Sequence, residues 1–298
     1  MAFQNPSRNV LLRMLKVALI SDIHFGPDRG TKKGTSAFRL VTQFKDWLGE
    51  NRCDLVVDLG DRISDVDRTT DEEMVRQVGA WFADISIPHY HLAGNHDLEA
   101  LTLSENEELL NFSLSSTSID LKGFHLVFWN AGSRLDREKG FLVLENELNW
   151  LEEDLSRSGL PTVIFTHVPL DNGSMTGNFY FEKAFPHHAG YNPADGKRIR
   201  EVIERSNKVV LCVNGHAHWN AYHCIDGVHY VTIPSLTEMF PTYPSVCESW
   251  AKLSLENEIH LQVLGNLAME YRFPMKQANG GHWLNVDKDY APQVTAPK

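Results

Sequence analysis

The chain has 298 residues, 42% of them hydrophobic, which suits one or two globular domains with a full core. Its net charge of −11 speaks against a broad nucleic-acid surface, which would need clustered Lys and Arg. No run reaches the ~18 apolar residues of a membrane helix. The four cysteines, Cys53, Cys212, Cys224 and Cys247, form no CxxC pair, so reduced thiols in a cytoplasmic protein are expected.

Residues 1–13 read as a loose tail, with Met14 as an alternative start. The stretch Val10 to Ile20 is broken by Arg13 and Lys16 and lacks a small-residue cleavage site, so no signal peptide is expected. Leu15 to Ile20, apolar but for Lys16, reads as a buried strand and ends in Ser21-Asp22-Ile23-His24. The loop Phe25 to Gly34 carries Arg29, Lys32 and Lys33 without P-loop spacing. A solvated loop is the expectation; a basic rim that meets a substrate phosphate is the alternative. Thr35 or Ser36 caps a helix to about Asn51, with Phe38, Val41, Phe44, Trp47 and Leu48 at helical spacing. Asp54 to Leu59 is a second buried strand and ends at Gly60-Asp61. A helix from about Thr70 turns Met74, Val75, Val78, Trp81 and Phe82 inward. Pro88 to Ala93 is a third strand, followed by Gly94-Asn95-His96-Asp97. This strand–helix–strand grammar implies parallel neighbours and right-handed crossovers.

Phe124 to Trp129 is a strand, Glu145 to Arg157 a helix, and Thr162 to Phe165 a strand that ends at Thr166-His167. Asp171 to Asn192 is a long polar-aromatic loop, of a length that tends to be functional. Lys208 to Val213 is a strand leading to Gly215-His216-Ala217-His218. From Trp219 to Leu264 the alternating runs 221–225, 228–233, 250–255 and 258–263 read as an antiparallel meander. Residues 276–298 read as a tail in which Trp283 could dock, leaving 14–275 as a single domain.

Five apolar runs thus end in residues able to hold a metal, which is hard to assign to core packing. Residues i and i+2 of a strand share a side, so Asp22 with His24, and His216 with His218, are expected to bite one site from a strand terminus. Asp61 offers two oxygens and could bridge two ions; Asn95 offers a carbonyl oxygen and His167 an imidazole. Mixed oxygen and nitrogen donors without thiolate suit Mn, Fe or Zn and argue against a structural zinc cage. Two ions about 3.5–4 Å apart can hold a hydroxide and clamp a phosphate in line with it. A protonated His96 could donate to the leaving oxygen, worth roughly 10²–10⁴-fold in rate.

Taken in order, these motifs resemble the signature of the calcineurin-like metallophosphoesterase superfamily. Its D-x-H, G-D, G-N-H-[DE], lone H and G-H-x-H stand here as Asp22-Ile23-His24, Gly60-Asp61, Gly94-Asn95-His96-Asp97, His167 and Gly215-His216-Ala217-His218. The resemblance implies an α/β four-layer sandwich of two mixed β-sheets flanked by helices, with the site at strand C-termini. It implies two divalent or mixed-valence ions, one on Asp22, His24, Asp61 and His218, the other on Asp61, Asn95, His167 and His216. His96 would be the leaving-group acid. The protein-phosphatase branch reads G-D-x-x-D-R-G, whereas this chain has Asp65 one position later, so the carboxylate that braces the acid histidine is displaced by one residue or absent. Purple acid phosphatases carry a Tyr ligand where Ser64 stands.

The chain looks most similar to the bacterial class III cyclic-nucleotide phosphodiesterases, partly through the helix containing Leu148, Trp150 and Leu151. Hydrolysis of a small phosphodiester is the function implied, with a phosphomonoesterase or a nucleoside-diphosphate-type pyrophosphatase as alternatives and a non-catalytic scaffold behind them. A small phosphoester is the expected partner, with no nucleic acid; a homodimer is left open. Outside the site, Phe179, Tyr180, Phe181 and Tyr191 could stack on a base or simply pack their loop. His89, His91, His187 and His188 are expected to be solvated or satisfied, although contact near the site or with substrate stays open.

Overall fold

The computed structural model describes residues 14–275; the tails expected at 1–13 and 276–298, and Trp283, lie outside the described residues. In chain order come β1 (Leu15–Ile20), α1 (Ala37–Glu50), β2 (Leu55–Asp58), α2 (Arg68–Ala83), β3 (His89–His91), α3 (Leu103–Leu110), β4 (Thr117–Leu121) and β5 (Phe124–Phe128). A short ribbon, β6 (Leu135–Asp136) and β7 (Gly140–Phe141), precedes α4 (Glu145–Arg157), β8 (Thr162–Phe165), α5 (Pro193–Ser206) and β9 (Val209–Asn214). The last strands are β10 (Ala221–Ile225), β11 (Val228–Thr232), β12 (Trp250–Leu255), β13 (Glu258–Leu264) and β14 (Met269–Pro274).

These strands form two six-stranded sheets, ordered β14-β13-β12-β1-β2-β3 and β10-β11-β9-β8-β5-β4. Both are mixed. β1, β2 and β3 are parallel, while β12 joins β1 antiparallel. β5, β8, β9 and β11 are parallel, with β4 and β10 antiparallel at the edges. The period of two along each strand sorts the layers. Leu15, Val17 and Leu19 meet Phe124, Leu126 and Phe128 in the core between the sheets. Ala18 and Ile20 turn the other way, onto Leu40, Phe44, Val75 and Phe82 of α1 and α2. Val127 and Ile164 face Leu151, Leu155, Ile199 and Ile203 of α4 and α5. Helices, sheet, sheet, helices: the fold is the α/β four-layer sandwich. Strands buried on both faces explain why β1, β2, β8 and β9 read as mostly apolar runs without a strict alternation.

The structure departs from the sequence reading in four places. Residues 219–264 are not one meander: the β10–β11 hairpin belongs to one sheet and β12–β13 to the other, and β11 pairs parallel with β9. The connection 233–249 carries the chain between sheets, which no local alternation can encode. α3 and α5 are additional helices, although both carry start signals. Thr102 and Glu105 form a capping box, and the Asn192 side chain accepts from Ala194 N and Asp195 N ahead of Pro193. Phe38, taken as core, is 59% exposed; Leu40 holds the buried position. Ser36 makes no side-chain cap to α1, whereas Asp67 caps α2 by accepting from Thr70 N. All four cysteines are free. Among the described residues no helix is long and apolar enough to cross a membrane.

Candidate active site

Asp22, His24, Asp61, His216 and His218 all lie beyond the ends of their strands, with φ between 45° and 64°. The same-side argument from strand pleating therefore does not apply to them; left-handed backbone does the aiming, a strain that functional loops carry. The loops after β1 and β2 keep pairing past the sheet. Asp22 N donates to Gly60 O (3.0 Å), His24 N to Asp61 O (3.0 Å) and Phe25 N to Arg62 O (2.9 Å). Glycine makes room where the turns meet: a Cβ on Gly94 would collide with Asp61, and one on Gly215 with Ser21 and Asp22. Asp97 ties two turns together, accepting from Gly94 N (2.9 Å), Asp61 N (3.0 Å) and Arg62 N (2.9 Å). Arg62 bridges Asp97 to Asp58, and Asp58 accepts from His91 Nδ1 (2.8 Å). His91 is thus a satisfied buried histidine supporting the turns.

The structure brings the sequence-derived ligand candidates into two groups sharing Asp61. One donor atom each from Asp22, His24, Asp61 and His218, and from Asp61, His167 and His216, lies within 4.8 Å of the others in its group. His24 Nε2 sits 3.0 Å from His218 Nε2, and His218 Nε2 sits 3.2 Å from Asp22 Oδ1. His167 Nε2 is 3.4 Å from Asp61 Oδ2.

A pair of divalent cations fits this arrangement. The second ring nitrogen of three histidines is occupied elsewhere: His167 Nδ1 donates to Leu59 O (2.9 Å), His216 Nε2 to His188 O (2.7 Å) and His218 Nδ1 to Glu238 Oε2 (2.8 Å). Such contacts fix the tautomer and turn a lone pair inward. His24 differs, its Nδ1 being buried without a partner. Asn95 Oδ1 is also buried without a hydrogen-bond partner, a state that costs about 1–3 kcal/mol unless something binds it. Burial opposes charge on His167 and His218, yet Asp61 and Asp22 respectively outweigh it and lift both imidazoles to about 9. Burial, then the charge of His167, pushes His216 down to about 3. The carboxylates Asp22 and Asp61 thus favour positive charge within both groups.

Beside it opens a pocket of about 350 Å³, bounded among others by Lys32, His96, Arg137, Tyr180, Phe185 and His188. His96 Nδ1 is hydrogen-bonded to Asp65 Oδ1, so of the two readings left open the carboxylate is displaced by one residue rather than absent. Ser64 turns its hydroxyl to His24 O (3.1 Å). Of the basic loop, Lys33 pairs outward with Asp28, Arg29 with Asp65, and Lys32 is buried against the site; the solvated reading fails for Lys32. The aromatic loop mostly packs: Tyr191 is buried and donates to Ala131 O (2.6 Å), and Phe181 stacks on His216. Phe179 stacks on Phe240. Tyr180 lines the pocket and donates to Glu238 Oε2 (3.2 Å).

Glu238 is a site residue the sequence did not flag. Burial would raise its carboxyl, but the His218 hydrogen bond and charge hold it down, to about 2. It stands between sheets with no apolar run before it, so no spacing signal marks it.

No curated protein matches the chain by sequence. Solved structures resemble it in fold. A dimetal phosphatase from Danio rerio superposes with a TM-score of 0.67 at 16% identity, over 88% of this chain and 99% of that one. A purple acid phosphatase, PPD1, from yellow lupin (Lupinus luteus) gives 0.65 at 14%, over 97% of this chain and 58% of the other. GAP50, the anchor in the inner membrane complex of Plasmodium, gives 0.56 at 14%, over 89% and 90%. The sequence model of the calcineurin-like phosphoesterase family matches residues 15–220, a span that holds every residue of both ligand groups, and the chain belongs to this family of metal-dependent phosphoester hydrolases.

Proposed function

We propose that the chain hydrolyses small phosphodiesters, cyclic nucleotides or a similar class among them, with His96 as general acid. The branch most like it would be the bacterial class III phosphodiesterases, and residues 14–275 would form one catalytic domain working in the cytoplasm. What supports this most is the position of His96, on the wall of the pocket beside both ligand groups. Asp22, His24, Asp61 and His218 would hold one divalent ion, and Asp61, Asn95, His167 and His216 the other. Bound there, two ions of the Mn, Fe or Zn kind would supply Lewis acidity to the phosphoryl group and acidify the attacking water.

The remaining work falls to the chain's own side chains. Asp65 accepts from His96 Nδ1–H, which turns Nε2 to the pocket. From Nε2 a proton can pass to the departing alkoxide. Tyr180, Phe181 and Phe185 form an aromatic wall that keeps water from one side and offers faces to a base. Phosphomonoesters are a second reading, favoured by the buried ammonium of Lys32 in the same pocket.

The test is turnover of bis(p-nitrophenyl) phosphate beside p-nitrophenyl phosphate with Mn²⁺, repeated with chelator. Chelator-sensitive turnover favouring the diester is expected. A preference for the monoester would transfer the assignment to the second reading. Two bound metals with no turnover of either would leave the pyrophosphatase and scaffold readings together.

A further inference from the structure

Lys32 is the charged side chain of this pocket that the acid, its brace and the ligand groups leave without a task. It is only 7% exposed, and its Nζ lies 3.2 Å from His96 Nε2. Among the described residues no carboxylate comes within salt-bridge distance of it, although its loop neighbours Arg29 and Lys33 both have one. Burying an ammonium without an ion pair is costly, and burial lowers its pKa although Asp61, Asp65, Glu238 and Asp22 pull it the other way. The backbone keeps it there. Arg29 and Lys32 exchange both backbone hydrogen bonds (3.1 and 3.0 Å) around Gly30, whose φ of 58° closes the turn. Lys33 N donates to Thr237 O (2.9 Å), and Thr31 Oγ1 meets the Tyr180 hydroxyl (2.6 Å), which reaches Glu238 behind His218. The turn that delivers Lys32 is therefore anchored to the same scaffold as the ligand groups.

The contact with His96 is made at the ring nitrogen that faces the leaving group. Among the described residues this is the ammonium's one hydrogen-bond contact, so its remaining N–H groups are left for an acceptor in the pocket. We propose that Lys32 binds a non-bridging oxygen of the substrate's phosphoryl group, a contact that contributes more on a doubly charged monoester than on a diester. This rests on the pocket being a phosphoester site. A phosphomonoester carries about −1.5 to −2 charges at pH 7 and three free oxygens, whereas a diester carries a single charge on two. Lysine acts on phosphate as a point charge, so it gains more from the dianion.

The experiment compares Lys32→Met and Lys32→Arg with the parent, full chain and metal-loaded. KM and kcat are measured on p-nitrophenyl phosphate and its bis ester, inorganic phosphate binding by calorimetry, and metal content by elemental analysis. Removing a hydrogen bond to a charged group should raise monoester KM and the phosphate Kd roughly 10–100-fold, with a clearly smaller change for the diester and unchanged metal content. Lys32→Arg should recover most of the loss. Equal losses on both esters, or unaltered phosphate affinity, would overturn the proposal. So would a loss that grows with leaving-group basicity as it does for His96→Ala, because Lys32 would then act through His96. If the parent turns over neither ester, the diester and monoester readings both fail, while calorimetry still decides whether Lys32 binds phosphate. Should the methionine variant fail to melt cooperatively, Lys32→Gln is read against the same outcomes.

Discussion

Removing the charge of Asp65 while keeping its shape asks how much of the His96 function is borrowed. Asp65 and His96 are about a quarter exposed, with side-chain values of 22% and 24%. Two unit charges 4 Å apart near a protein surface interact by about 4 kcal/mol at most, and partial exposure screens this further. A loss of about 1.4–2.7 kcal/mol, 10–100-fold in kcat/KM, is expected for Asp65→Asn on esters with poor leaving groups. Asp65→Ala should lose more, because the imidazole is then free to turn and Arg29 loses its partner. His96→Ala sets the ceiling, at roughly 10²–10⁴-fold. The assay is a double-mutant cycle on an alkyl ester and an activated aryl ester, with metal content measured for each protein. If Asp65 acts through His96, the double variant should be no worse than His96→Ala, and the aryl ester should suffer little in any of them. Additive losses, or equal losses on both esters, would refute the bracing role.

Three further outcomes follow from the same geometry. Asn95→Ala should lower metal content from about two ions per chain toward one, since its buried carbonyl oxygen has no other partner; elemental analysis showing two would remove it as a ligand. Gly215→Ala pushes a methyl into Ser21 and Asp22 and should cost about 1–3 kcal/mol, with metal lost as well. Gly159→Ala, in open space, is the control, and equal melting temperatures for the two would contradict the packing argument. Far from the pocket, His125 presents Nδ1 to Asp120 (2.6 Å) and Nε2 to Asp154 (2.9 Å). The Asp154 hydrogen bond outweighs burial and raises its pKa above the ordinary value. A raised histidine stabilises fully below its unfolded pKa of about 6.5 and loses that contribution as pH climbs through the folded value. The destabilisation caused by His125→Gln, followed by urea unfolding, should therefore be largest near pH 6 and shrink toward pH 9; a flat difference would mean the imidazole is uncharged there.

Much was legible in the linear chain because local physics writes it there. Strands covered on both faces must be mostly apolar, so Leu15–Ile20, Leu55–Asp58 and Thr162–Phe165 announce themselves, and the polar residues that end them stand out. Helix α4 was readable to its ends from the spacing of Leu148, Leu151 and Leu155 against an acidic face. The ordered motifs likewise singled out the residues that the fold gathers into two groups around Asp61.

What tertiary structure alone decided concerns partners distant in sequence. Whether Asp65 could brace His96, 31 residues further on, depended on how the Gly60 and Gly94 turns meet. Glu238 reaches His218 only because the connection between β11 and β12 passes from one sheet to the other beside the ligands. Lys32 looked like any loop lysine; its burial arises from a hairpin pinned to Thr237 and Tyr180, residues far along the chain. Sequence periodicity reports which face of an element is buried, because that is set by its own residues. It does not report which loop covers which turn, because that is set by the register and order of strands that meet only after folding.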